Sequence, residues 1–412
     1  MRPLMGHPIG IDATPKERKG ALVTLFFTIF ISLIGFGIII PLLPTYGQQM
    51  GATPWEIGWL FASYSLAQLL AAPILGDLSD RWGRRPVMIA SLLGTALSFV
   101  LLARAQSLQM LFVARILDGL SGGNISAARA YIADITEPQN RARAFGLIGV
   151  AFGLGFVLGP ALGGLFFQIH LSAPAWLAAA LSLVATGMAF FLLPETRHAT
   201  SARRPPFWAS LPTVLSQPAL AYLMLVDFMI WASLSVYQTT FPLFAERRFH
   251  WDPGQIGLVL AGVGLIGAFV QGGLVGRLVA RLGEKRVLIL GLSLGSVSLI
   301  LASVSQQPVL FLMFLAPAVA ASGLVSPSLV AMVSQAARAD EQGRVQGAAS
   351  AIEGLGRATG PVWGNGLLQA RGEGASYLSA GLVLLLTALL AMAIKPARIE
   401  QAGAGLTPDG GG

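Results

Sequence analysis

Among the ionisable side chains that interrupt long apolar runs in this sequence are Arg115, Asp118, Asp227, Glu353 and Arg357. A charge at mid-membrane costs at least ~2.5–3.5 kcal/mol, so such residues either compensate one another or carry chemistry. Arg115 and Asp118 are spaced i,i+3. Glu353 and Arg357 are spaced i,i+4 with the acid first, the order that favours pairing on a helix. The chemistry these types allow is the binding and release of protons. A carboxyl caught between an apolar medium and a guanidinium is pushed in two directions and can change state during a cycle. Asp227 has no charged neighbour within four residues, which makes it the better candidate proton carrier. Other chemistries lack their residues. The chain has no Cys, and His7, His170, His198 and His250 all lie outside the apolar runs. Thiol nucleophiles and Cys-ligated metals are thereby excluded, and neither a metal nor a cofactor is expected. No G-x-x-x-x-G-K-[ST] segment is present, so ATP hydrolysis is not expected either.

The elements that must position these charges follow from composition. The 412 residues are 54% hydrophobic and only 11% charged, with a mean hydropathy of +0.70. Soluble domains carry about 25% charged residues. So few charges cannot cover a water-facing surface, and the bilayer is the expected solvent. Apolar runs of the roughly 20 residues a membrane helix needs recur at 21–44, 55–75, 87–104, 108–134, 144–168 and 173–193. They recur again at 219–245, 254–276, 287–304, 308–334, 345–368 and 376–394. The run at 21–44 is too long for a signal-peptide core and reads as an uncleaved first span. The expected organisation is a tail at 1–20, a six-helix half at 21–193, a linker at 194–218, a second half at 219–394, and a disordered tail at 395–412.

An even number of spans puts both ends of the chain on one side. Of the 27 Lys and Arg residues, only Arg104, Arg247, Arg248 and Arg371 fall on the other side, while Arg115, Arg129 and Arg357 lie within spans. This bias predicts cytoplasmic termini in an inner, plasma membrane. It also accounts for the net charge of +8 without nucleic acid as a partner. Arg129 reads as a snorkelling or gating charge.

The halves are repeats. GDLSDRWGRR at 76–85 returns 200 residues later as GRLVARLGEK, GPALGG at 159–164 returns as GPVWGN, and RAFG at 143–146 returns as RVQG. Parallel halves of six spans are one organisation of secondary transporters.

These motifs resemble the major facilitator superfamily, in particular its drug–proton antiporters and the tetracycline-exporter-like branch, over about residues 21–394. The loop pattern G-x-L-x-D-R-x-G-R-R/K is met by Gly76, Leu78, Asp80, Arg81, Gly83, Arg84 and Arg85. Gly76 and Gly83 are expected to free the backbone of a tight turn. The resemblance implies a charge cluster of Asp80 with Arg81, Arg84 and Arg85, in which Arg84 and Asp134 are the expected partners of Asp80, that clamps the halves when the site faces outward. Arg115 matches the buried Arg of the family's fourth span, and Asp118 replaces a Gln or small residue there. Gly155, Gly159, Pro160, Gly163 and Gly164 resemble the antiporter signature of the exporters. Close-packing glycines and a Pro bend suit a pivot or seal.

The fold that follows is an all-helical membrane protein of 12 transmembrane helices in two parallel six-helix bundles. It implies a secondary active transporter that works as a monomer and exports a small lipophilic or amphipathic compound in exchange for protons. Arg115, Asp118, Asp227, Glu353 and Arg357 are the expected coupling residues. Phe36, Tyr64, Phe228, Trp231, Tyr237 and Phe241 are candidate pocket aromatics. Tetracycline exporters carry an acidic residue on the first span for the metal-complexed drug, whereas 21–44 offers only Thr24, Thr28 and Ser32. Tetracycline therefore does not follow from the resemblance. Export of a metabolite or sugar is the alternative. A membrane-embedded enzyme or a non-transporting sensor is disfavoured, since no span holds His or Cys and no signalling domain is recognisable.

Overall fold

A computed structural model describes residues 10, 13–137, 140–196, 207–338 and 341–394. The tail at 395–412 and residues 197–206 of the linker fall outside the described residues. The first half consists of α1 (Pro15–Gln49), α2 (Pro54–Trp82), α3 (Arg84–Ala103), α4 (Leu108–Ser121), α5 (Asn124–Ile135), α6 (Arg141–Phe167) and α7 (Ala173–Leu192). A linker helix α8 (Phe207–Leu215) follows. The second half consists of α9 (Pro218–Phe249), α10 (Pro253–Phe269), α11 (Val275–Leu282), α12 (Glu284–Val304), α13 (Pro308–Ala336), α14 (Gln342–Arg371) and α15 (Glu373–Ala393). Among the described residues ten helical segments are long and apolar enough to cross a membrane, counting Pro253–Leu282 as one. The other two expected spans are α4 with α5, and α14, whose glycines, Glu353, Arg357 and Asn365 dilute its apolar character.

Three differences from the expected spans have local causes. The first helix begins at Pro15, inside the expected tail, because Thr14 and Glu17 form a capping box and Pro15 sits at the first turn. The fourth span is not continuous. Gly122 and Gly123 break it, Gly122 N–H bonding Gly119 O and Gly123 N–H bonding Ser121 O. Neither glycine has room for a side chain, since a Cβ on Gly122 would stand 2.7 Å from the Gln68 amide and one on Gly123 would collide with Leu75. The break lets α4 and α5 lie against α2. Finally, the eighth span passes through a π turn at Val270–Leu274.

Each half has its own core. In the second, α9, α12, α13 and α15 converge on Phe311, Phe244 and Tyr377, with the Phe244 and Phe311 rings stacked 4.8 Å apart. In the first, two clusters lie one above the other, around Leu25–Met88–Tyr131 and around Ile38–Phe99–Leu111. Large apolar side chains such as Phe191, Phe269 and Leu389 remain more than half exposed, as a lipid-facing belt requires. The halves meet along two seams, α2 with α14 and α6 with α10. The face bearing the α2–α3 turn is called here the basic face, and the face bearing the α1–α2 turn the opposite face.

Candidate functional site

The seams are tight toward the opposite face and part toward the basic face. At the opposite face Trp55 N–H donates to Gln369 Oε1 at 3.0 Å. Ala52, Ile57, Leu243 and Leu368 form a small apolar plug drawn from both halves. Deeper in, a Cβ on Gly58 would stand 2.6 Å from the Pro361 carbonyl oxygen, and one on Gly257 would strike the Pro160 carbonyl. These two approaches are copies of each other in the two seams. Toward the basic face the halves separate around a cavity of about 1120 Å³, walled by α2, α4–α5 and α14. Leu69, Ala72, Ile74, Ile125 and Ala351 give it apolar sides, and Ser65, Gln68, Arg129, Glu353 and Arg357 give it polar ones.

The expected coupling residues converge above and beside this cavity. Arg115 Nη1 lies 2.8 Å from Asp118 Oδ2, and both are buried. The Arg115 guanidinium sits 4.4 Å from the centre of the Tyr64 ring. Gln68 Nε2 donates to Tyr64 Oη at 3.0 Å and, at 3.4 Å, to the Gly122 carbonyl. Gln68 thus joins the span 4 break to the buried ion pair. The sequence signal for it was a lone amide in an apolar run, one helical turn from Tyr64. Across the interface the Arg357 guanidinium stacks 5.5 Å from the Trp231 ring. The expected i,i+4 pair between Glu353 and Arg357 does not close, because Arg357 is turned onto that indole. Asp227, expected to stand apart, is 3% exposed and lies within the fields of Glu353 and Arg357. The charge of Arg129 also acts on Glu353. Charges from α5, α9 and α14 therefore act on one another, and Tyr64 lies within the fields of Arg115, Asp118 and Arg357.

The six candidate aromatics divide. Phe36 and Tyr64 lie 5.5 Å apart, and Phe228 and Trp231 pack on Gly356. These four are half-buried and flank the charge cluster. Tyr237 and Phe241 are buried in the core of the second half, Phe241 stacking on Phe311 at 6.1 Å. None of the six is among the residues that wall the cavity, which is lined by small, aliphatic and charged side chains instead.

The gating-loop residues form a compact network in which Arg84, an expected partner of Asp80, joins Asp80 to Asp134, while Arg81 and Arg85 go elsewhere. Arg84 contacts Asp80 at 2.7 Å and Asp134 at 3.0 Å. Arg81 pairs with Asp77 at 2.7 Å, an acid at a variable position of the pattern that sequence reading passed over. Arg85 leaves the cluster and donates to the carbonyls of Ala189 and Phe190 at the end of α7. Lys285 does the same for Met392 at the end of α15, a repeat of the device 200 residues on. Gly83 needs its positive φ of 101°. Gly76 does not, because α2 continues through it to Trp82 and a Cβ there meets nothing. Leu78 is half-buried on the same helix.

Glu195, at the start of the expected linker, was also missed. Its carboxylate accepts from Arg84 N–H at 2.9 Å and Arg85 N–H at 3.2 Å, capping α3. Thr196 Oγ1 donates to Asp134 at 3.2 Å beside it. A carboxylate at a helix N-terminus stabilises by about 0.5–2 kcal/mol. Glu195→Ala is accordingly expected to lower stability by about 1 kcal/mol, read as a lower thermal midpoint of the purified protein. An unchanged midpoint would remove the cap from the stability of this loop.

The antiporter-type glycines act by close approach. Gly155 and Gly159 face Leu33, Ile34 and Gly37 of α1, and Gly163 faces the Ile38 carbonyl. Gly164 faces Pro253 and Gly254 of α10 in the other half. Pro160 sits within a continuous α6. The motif therefore packs one helix against both its own half and its neighbour. On α14, Gly356, Gly360 and Gly364 repeat the arrangement against α9.

Two six-helix halves, a central cavity between them and paired symmetric seams define a membrane transporter of the alternating two-half type. The family profile described as Major Facilitator Superfamily matches residues 25–274 and 223–406, and the chain belongs to that superfamily. It is 34% identical over 359 residues to the class C tetracycline resistance protein of Escherichia coli, covering 84% of this chain and 89% of that one. It is 30% identical over 395 residues to multidrug resistance protein 2 of Bacillus subtilis (strain 168), covering 94% of this chain and 98% of that one. Among solved structures it resembles the human organic anion transporter MFSD10 (TETRAN), with a TM-score of 0.71 at 26% identity, covering 92% of this chain and 100% of that one.

Proposed function

We propose that this protein exports a small lipophilic or amphipathic drug-like compound across the inner membrane in exchange for protons, by alternating access of its two halves. The observation that carries the reading is the cavity of about 1120 Å³, closed toward the opposite face, with apolar walls and with Glu353 and Arg357 on its surface. The names of two relatives, a tetracycline and a multidrug resistance protein, support drug export. The basic-residue bias supports a cytoplasmic basic face, so the cavity would receive its cargo from the cytoplasm. Both termini would then be cytoplasmic. The working unit would be a monomer. Asp118, Asp227 and Glu353 would bind and release the protons, with Arg115 and Arg357 setting their electrostatic surroundings. The gating loop and the α6 glycines would control closure.

Everted membrane vesicles loaded with a pH-sensitive dye provide the test. Adding a transported lipophilic dye to energised vesicles is expected to release protons, and an uncoupler is expected to stop dye accumulation. Accumulation that continues unchanged with the uncoupler present would rule out proton exchange.

A further inference from the structure

The cavity walls hold more charge than the gating loop uses. Of the ionisable residues on its surface, Arg81 is paired with Asp77 and Arg84 with Asp80. Arg129, Glu353 and Arg357 remain, and among the described residues none of the three closes an ion pair. Arg357 is occupied by the Trp231 ring. Arg129 is an exposed guanidinium on α5 of the first half, and Glu353 is on α14 of the second. An Arg within a membrane span is expensive unless it faces water or finds a partner. In this conformation Arg129 faces the cavity, and its charge acts on Glu353, which also lines it.

The seam geometry says where the two go when the cavity shuts. Contact between α2 and α14 extends from Trp55–Gly366 through Gly58–Pro361 to Leu69–Gly354, where a Cβ on Gly354 would stand 3.3 Å from Leu69. Beyond that point α14 stands off, and Gly347, Ser350 and Glu353 face the cavity opposite Ser126 and Arg129. Closing the basic face brings together the α14 wall that carries Glu353 and the α5 wall that carries Arg129, and the two long side chains reach across what remains of the gap. We propose that Arg129 and Glu353 form an ion pair between the halves when the basic face closes, and that a proton on Glu353 withholds this pair and lets the face open.

The other groups around Glu353 do not supply such a partner. Arg357 lies on its own helix and moves with it. Asp227 on α9 is acidic and belongs to the same half. The mouth charges of α2 and α3 are paired, as above. α8 and α13, also packed on α14, contain no ionisable residue, and Glu373 of α15 is engaged by Arg248 at 3.6 Å on the opposite face. The arrangement deepens the proton-exchange reading and rests on it. A proton arriving from outside would break the pair and open the cavity inward. Its loss to the cytoplasm would let the pair re-form once cargo is bound.

The chain has no Cys, so Ser126→Cys with Ser350→Cys gives a clean pair of spin-label sites on facing walls of the cavity. Distances are measured by pulsed electron-spin resonance on the full chain in lipid nanodiscs, without substrate. The parent is expected to show a short-distance population in alkaline buffer that gives way to a long one in acid. Arg129→Gln and Glu353→Gln are each expected to shift the alkaline long-to-short ratio on the order of tenfold toward the long distance, equivalent to ~1.4 kcal/mol. Arg129→Lys, which keeps the charge, is expected to restore the short population. The proposal is overturned if Arg129→Gln keeps the parent's response to pH, or if Arg129→Lys behaves like Arg129→Gln. Because the readout involves no transport, an intact distance response with no proton-driven export in vesicles would sink the export reading alone. Proton-driven export with unchanged distances in Arg129→Gln would sink the ion pair alone.

Discussion

Asp227→Asn is expected to abolish accumulation against a gradient in everted vesicles while leaving downhill movement of the same compound in place. The side chain is 3% exposed, sits where α9 packs on α14, and lies within the fields of Glu353 and Arg357. An amide of nearly the same shape preserves packing, so the fold is expected to survive. It cannot exchange a proton, so the step that links proton entry to cargo exit is lost while the rocking of the halves is not. The double readout matters. Loss of both uphill and downhill movement would mark Asp227 as structural, and retention of full uphill transport would remove it from the coupling mechanism and leave the carboxyl work to Glu353 and Asp118.

The second large effect is expected at a residue with no side chain. Gly58 lies against the backbone of α14, where a Cβ would stand 2.6 Å from the Pro361 carbonyl oxygen and 3.1 Å from Asn365. Backbone in the middle of a packed helix cannot yield as a flexible side chain would. Gly58→Val therefore opposes closure of the opposite face at a cost of about 1–3 kcal/mol, a roughly 5- to 150-fold shift between the two conformations. The measurement is labelling of Ser350→Cys by a membrane-impermeant maleimide in everted vesicles, where the basic face is outside. Labelling is expected to fall severalfold relative to the Gly58 parent, together with transport. Unchanged labelling and transport would show that the Gly58–Pro361 approach is not part of the closed seam. Gly257, against the Pro160 carbonyl in the other seam, is expected to respond to Val in the same sense, because the two seams are repeats of one another.

Both experiments depend on features that were partly legible in one dimension. The charges were visible because each contradicts its apolar surroundings, and Gly58 was not, because a glycine in a membrane helix is unremarked until a backbone is laid beside it. Pairings within a motif were legible in part. The resemblance named Arg84 as a partner of Asp80, and the α2–α3 turn at Gly83 brings Arg84 back over Asp80 and toward Asp134. Arg81, still on α2, finds Asp77 one turn earlier, and Arg85 is carried round to the end of α7.

What the sequence alone determined is the solvent, the number of apolar runs, the repeat of about 200 residues and therefore the parallel two-half plan. These depend on run length, charge fraction and local identity, which are properties of the chain read in order. Tertiary structure alone decided where that plan departs from regularity and what faces what. The fourth span is broken at Gly122–Gly123, and Gln68 and Leu75 of α2 stand where side chains on those two residues would be. Glu353 and Arg357, spaced to pair, do not, because Trp231 from another helix takes the guanidinium. Asp227, alone in its own segment, shares its surroundings with both. Each of these outcomes is set by contact between residues far apart in the chain, and helical spacing can limit which faces a residue shares but not which neighbour arrives there.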